Sequence, residues 1–79
     1  MQQRYTELQG RYLAFIHYYS KLHGQAPSEA EMQRYFGVTP PTVHQMVLTL
    51  ERKGFIERRA GMARSIKVLL AAHELPGLG

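Results

Sequence analysis

The stretch SEAEMQRYFGVTPPTVHQMVLTLERK, residues 28–53, decides how this chain folds. Ser28 with Glu31 three residues on is a capping box, in which two side chains satisfy two orphan backbone donors of a new helix. A short helix through Met32, Tyr35 and Phe36 ends at Gly37, where the turn calls for a positive φ. The chain turns through Val38 and Thr39. Thr39 is a good N-cap residue, and Pro40 sits at the first helical position, where a missing N–H costs nothing. Val43, Met46, Val47 and Leu50 then recur at i, i+3, i+4 and i+7, one apolar face of a helix running to about Lys53. Gly54 stops it, with Arg52 and Lys53 favourably placed in its last turn. Short helix, tight turn and longer helix make the layout of a helix-turn-helix, whose second helix enters the major groove of DNA.

Upstream, Leu8, Tyr12, Phe15, Ile16 and Tyr19 form an apolar stripe at three- and four-residue spacings, so Thr6 to His23 reads as a helix. Thr6-Glu7-Leu8-Gln9 is its capping box, Gly24 its stop, and Pro27 bars a restart before Ser28. Downstream of Gly54 the period changes from helical to alternating. Residues 55–59 read as one strand and 64–70 as a second, joined by a turn at 60–63, with Ile66, Val68 and Leu70 on one face. The expected fold is mainly α with a small β-hairpin: a three-helix winged helix-turn-helix over residues 1–70, followed by a flexible tail over 71–79.

Composition bounds the function. At 79 residues the chain is one domain with a modest core. With 44% hydrophobic and 20% charged residues it is globular rather than disordered. No apolar run is long enough to cross a membrane, and the polar start from Met1 to Thr6 does not read as a signal peptide. There is no cysteine, hence no disulfide framework and no thiolate metal site. A cytoplasmic location fits. His17, His23, His44 and His73 share no metal-binding spacing with a third ligand. No nucleophile, base and orienting group come together, so neither catalysis, cofactor nor small-molecule substrate is expected. Met32 and Met46 read as core filler.

The net charge of +4 is unevenly spread. Arg52, Lys53, Arg58, Arg59, Arg64 and Lys67 face only Glu57, a segment net of +5, while the rest of the chain, Arg4 included, nets −1. A basic patch in one region is the electrostatic footprint of nucleic-acid binding. If Val43, Met46, Val47 and Leu50 face inward, Pro41, Thr42, His44, Gln45 and Leu48 face largely outward. Gln45 can pair bidentately with adenine, His44 can donate to guanine, and Thr42 offers a hydroxyl and a methyl. Thr39 and the free N–H groups of this helix end suit a phosphate. Arg52 is placed for the backbone, and Arg58, Arg59 and Arg64 around the hairpin for phosphates or the minor groove.

The segments Ala26-Pro27-Ser28, Gly37-Val38, Thr42-Val43-His44, Leu50-Glu51-Arg52-Lys53-Gly54 and Ala63-Arg64-Ser65-Ile66 resemble the N-terminal DNA-binding domain of the LexA family of SOS-response repressors. The resemblance covers about four-fifths of the chain. It implies a three-helix bundle with a wing, sequence-specific binding of double-stranded DNA and repression of transcription. By matched position it implies base contacts from Thr39, Pro41, Thr42, His44 and Gln45. The chain departs from the family in lacking its serine-lysine autoprotease domain, which also dimerises, so self-cleavage is not implied. One recognition helix reads few base pairs, and a homodimer or a partner protein is expected to complete the site. Leu48, apolar on the presumed DNA face, supports an alternative: a winged helix that docks a protein.

Overall fold

The computed structural model describes residues 5–77. Arg4, counted in the charge tally, and the last two residues of the expected tail lie outside the described residues. Three helices are followed by a two-stranded hairpin: α1 Glu7–His23, α2 Glu29–Phe36, α3 Pro40–Arg52, β1 Ile56–Glu57 and β2 Lys67–Val68. This is the winged helix-turn-helix expected from the sequence, with each helix ending at or next to its predicted stop.

Local chemistry accounts for the helix ends. Both expected capping boxes form: Thr6 Oγ1 accepts from Gln9 N at 3.1 Å while Gln9 Oε1 accepts from Thr6 N at 2.9 Å. Ser28 Oγ and Glu31 do the same for α2, at 3.2 and 2.8 Å. Gly37, at φ 68°, lets Gly37 N and Val38 N both reach back to Gln33 O and closes α2 into the turn. Gly54, at φ 82°, closes α3 through Phe55 N to Leu50 O and Gly54 N to Glu51 O, both 3.0 Å, a Schellman closure. Phe55 after it and Leu50 before it share the core, so the same closure aims the chain into the hairpin.

The core is one cluster fed by every element. Tyr12, Leu13 and Ile16 come from α1, Met32 from α2, Val43, Val47 and Leu50 from α3, and Phe55, Ile56 and Ile66 from the hairpin. Tyr12 stacks on Phe36 with ring centroids 4.0 Å apart and planes 11° apart. Burial pushes the Tyr12 phenol pKa up.

The stripe on α1 holds at Tyr12, Phe15 and Ile16, which are buried, and at Tyr19, which packs against the core, but not at its first member. Leu8 is 50% exposed, whereas Leu13 is fully buried. In the first turn the inward positions are Gln9, whose amide oxygen is occupied by the capping box, and Gly10, which Tyr5 and Pro76 cover. The run 12–16 is buried throughout, too wide an apolar arc for its centre to be read from spacing alone.

The hairpin is shorter than expected. Its antiparallel register pairs Ile56 with Val68 and Glu57 with Lys67, and a loop over 58–66 replaces the outer parts of both strands. Ser65 is the reason. Its hydroxyl oxygen accepts from Arg59 N at 2.9 Å, and its single hydrogen is shared between the carbonyl oxygens of Met62 and Arg59, 2.9 and 3.2 Å away. One side chain thus satisfies backbone groups that a longer ladder would have paired. Arg64 adopts φ 59°, which a strand residue cannot do.

The described part of the expected tail, 71–77, turns through a 3-10 segment at Ala72–Glu74. Tyr5 donates its hydroxyl to the Glu74 carbonyl, and Leu75 packs against the core.

One carboxylate joins three parts of the fold. Glu31 accepts from Ser28 N of its own cap, from the Tyr19 hydroxyl of α1 at 2.6 Å, and from Arg64 Nη1 of the wing loop at 2.8 Å. The Ser28 amide foremost, then Tyr19 and Arg64, hold its pKa down at about 2.

Two predictions test this construction. Leu50→Ala removes a fully buried side chain and should cost about 2–5 kcal/mol, read as a lower urea midpoint. Because Glu31 is charged in the fold well below its ordinary value of 4.5, its contribution is present above that pH and lost as pH falls towards 2. The urea midpoint should therefore fall more steeply with acid in the wild type than in Glu31→Gln, which keeps the cap but binds no proton. Equal acid dependence in the two proteins would refute the assignment.

Candidate nucleic-acid interface

Helix α3 has two unlike faces. Val43, Val47 and Leu50 are fully buried, and Met46 is half-buried. Thr39, Pro41, Thr42, His44 and Gln45 are all exposed, so the first two turns present a polar surface rooted in the core. Gln45, Thr42 and Pro41 line a shallow depression with Gln9 of α1. Leu48, expected to face outward, is half-buried.

The start of α3 differs from its sequence reading in one chemical respect. Thr39 is the N-cap residue but its side chain caps no backbone amide; its Oγ1 lies 3.0 Å from Thr42 Oγ1 instead. Nor are there free amides for a phosphate. Pro40 and Pro41 have no N–H, and the next two donors, Thr42 N and Val43 N, both bond Thr39 O, at 3.1 and 3.2 Å. A phosphate at this end would be met by the two hydroxyls, not by the backbone.

The basic residues sort into two groups. Arg58 Nε donates to Glu51 Oε1 at 3.1 Å, with only 17% of its side chain exposed. Arg64 Nη1 donates to Glu31 Oε1 and, at 3.2 Å, to the carbonyl of Ala26. Both lie along a cleft between the wing loop and the start of α2, opposite Glu29 and His44. Arg52, Lys53, Arg59 and Lys67 are exposed and, among the described residues, make no ion pair. The positive field of the wing region therefore comes from fewer uncompensated cations than the sequence count suggests.

His44 is not free either. Its Nδ1 lies 3.2 and 3.3 Å from the two carboxylate oxygens of Glu29, at the start of α2. Sequence reasoning missed Glu29, Glu31, Glu51, Tyr19 and Ser65 as partners of the interface. The i, i+3 capping spacing flagged Glu31 only as a cap, and no local signal links residues 6 to 33 positions apart.

None of the described helices is long and apolar enough to cross a membrane. Comparison with known proteins agrees with this architecture. The LexA DNA binding domain family matches residues 2–65. The LexA repressor of Thermotoga petrophila is 38% identical over 63 residues, 80% of this chain and 32% of that protein. The LexA repressor of Thermosipho melanesiensis is 38% identical over 64 residues, 81% and 32% of the two chains. That of Petrotoga mobilis is 34% identical over 71 residues, 89% and 34%. The chain thus spans about a third of the length of the curated relatives it matches. A match that runs from the first helix through the wing loop, in a fold with the same elements in order, means that the chain belongs to the LexA DNA-binding domain family.

Proposed function

We propose that this chain binds double-stranded DNA sequence-specifically and acts as the DNA-binding part of a LexA-type transcriptional repressor, in the cytoplasm and without catalysis of its own. The observation that carries the reading is the division of α3: its inner face is locked in the core, while Thr39, Pro41, Thr42, His44 and Gln45 stand exposed on its first two turns. A helix held this way offers base-reading side chains at fixed positions, which major-groove recognition requires.

In this reading Thr42, His44 and Gln45 meet base edges, with Thr39 and Pro41 at the groove's rim. Arg52 and Arg59 supply the phosphate contacts that dominate affinity. Arg58, compensated by Glu51, adds a weaker backbone contact. Arg64 serves the interface by holding the wing loop against α2 through Glu31, and only secondarily as a cation. A single module reads a short site, so high affinity is reached through a homodimer or a partner protein. Protein docking in place of DNA binding rested on an outward Leu48; with that residue half-buried, no exposed feature of α3 favours it.

An anisotropy titration with a random duplex should show binding at low salt that weakens as salt rises; no binding at low salt would sink the proposal. Arg59→Ala should weaken all duplexes alike and reduce the salt slope by about 1. Gln45→Ala should cost about 1–3 kcal/mol at one base pair and leave the slope unchanged. The wing latch has a sharper signature. Glu31→Gln removes a negative charge, which by itself would favour a polyanion, yet it should weaken duplex binding because the Arg64 anchor of the wing loses its charge assistance. Arg64→Gln should weaken binding to a similar degree, and the double substitution should cost little more than either alone. Stronger binding by Glu31→Gln would show that Arg64 is better free than latched.

A further inference from the structure

The pairing of His44 with Glu29 bears on what the recognition helix can read, and the following rests on the major-groove placement of α3 proposed above. An ionised carboxylate can only accept hydrogen bonds. With both Glu29 oxygens within 3.3 Å of Nδ1, that nitrogen is the one carrying the hydrogen. A neutral imidazole has a single N–H, so Nε2, on the far edge of the ring, is then a bare acceptor. Guanine presents only acceptors, N7 and O6, in the major groove. Neutral His44 therefore has nothing to donate to guanine. It gains an outward N–H only by taking up a second proton.

We propose that Glu29, on a helix that itself reads no base, is a specificity-determining positioning residue. It sets the tautomer of His44 and makes recognition of guanine by His44 conditional on proton uptake. The charged groups around the imidazole are few. Glu29 faces it from α2. Arg58 and Arg64 of the wing loop line the same cleft, each bonded to its own carboxylate, Glu51 and Glu31. Its exposed neighbour on α3, Gln45, is uncharged. Both His44 and Glu29 keep 40–50% of their side-chain surface exposed, so the pair is open to a duplex on its outer side.

The test has two arms. Long-range proton–nitrogen NMR spectra of the free protein at about pH 8 report which ring nitrogen bears hydrogen. Nδ1 of His44 should carry it in the wild type. In Glu29→Gln the side-chain amide can instead donate to Nδ1, and population should move to the Nε2–H form. A wild-type His44 protonated on Nε2 at this pH overturns the inference without reference to DNA. For the second arm, random duplexes are selected, and the base pair whose preference His44→Ala abolishes is identified. Competition titrations at about pH 5.5 and 8 then compare guanine with the other bases there. The relative affinity for guanine should fall roughly three- to tenfold on raising the pH in the wild type, the worth of one hydrogen bond, and less than about twofold in Glu29→Gln. A wild-type ratio that ignores pH, or no base pair dependent on His44, overturns the role of Glu29. If no duplex binds at either pH, the DNA reading itself fails, and the tautomer spectra tell that failure apart from this one.

Discussion

The Glu31 carboxylate is where α1, α2 and the wing meet. It closes the cap of α2 through the Ser28 amide, receives the Tyr19 hydroxyl from α1, and receives the Arg64 guanidinium from a loop 33 residues further along the chain. Each donor prefers the charged carboxylate, which is why its pKa is held down at about 2. Charge-assisted hydrogen bonds are the stronger kind, and three of them converging from separate elements restrict where those elements can sit. The wing has only two ladder pairs, too few to orient a nine-residue loop, so its placement depends on this side-chain anchor, on Ser65 within the loop and on the burial of Ile66 at its end.

Recognition by a helix requires that its inner face be immobile and its outer face accessible. Helix α3 meets the first condition with Val43, Val47 and Leu50, all without solvent exposure, and with the closure at Gly54 that seats Phe55 beside them. It meets the second by starting with two prolines. They pre-set the backbone of the first turn and remove the amides that would otherwise need partners. The consequence is an N-terminus that presents two hydroxyls and no free backbone donor in its first turn.

Carboxylates temper this surface. Glu29, Glu31 and Glu51 each engage one of the residues read from sequence as DNA contacts: His44, Arg64 and Arg58. A polyanion meeting this surface therefore encounters a few uncompensated cations, with Arg52 and Arg59 foremost, set among groups whose orientation is already fixed by a partner. Such an arrangement trades indiscriminate attraction for geometry. In the proposed binding to DNA, fewer free charges lower the contribution that is the same for every sequence, and fixed donors and acceptors raise the share that depends on the bases.

What the sequence determined by itself was most of what is governed by neighbours within about four residues, the start of α3, where Thr39 meets Thr42 instead of capping an amide, being the exception. Capping spacings at Thr6–Gln9 and Ser28–Glu31, stops at Gly24, Gly37 and Gly54, and the apolar period of Val43, Val47 and Leu50 are local, because a helix is built from i to i+4 interactions. Those signals sufficed for the order of elements, the helix-turn-helix and the exposed start of α3, and the quoted motifs sufficed for the family. The burial of Leu13 and the exposure of Leu8 escaped because the apolar run of α1 is wider than one stripe, and the ends of the strands because a Ser65 hydroxyl can replace ladder partners. The partners of His44, Arg58 and Arg64 were decided only by tertiary structure. They lie 15, 7 and 33 residues away, on elements whose approach is set by the packing of the common core, and no spacing in the sequence encodes which carboxylate arrives beside which base.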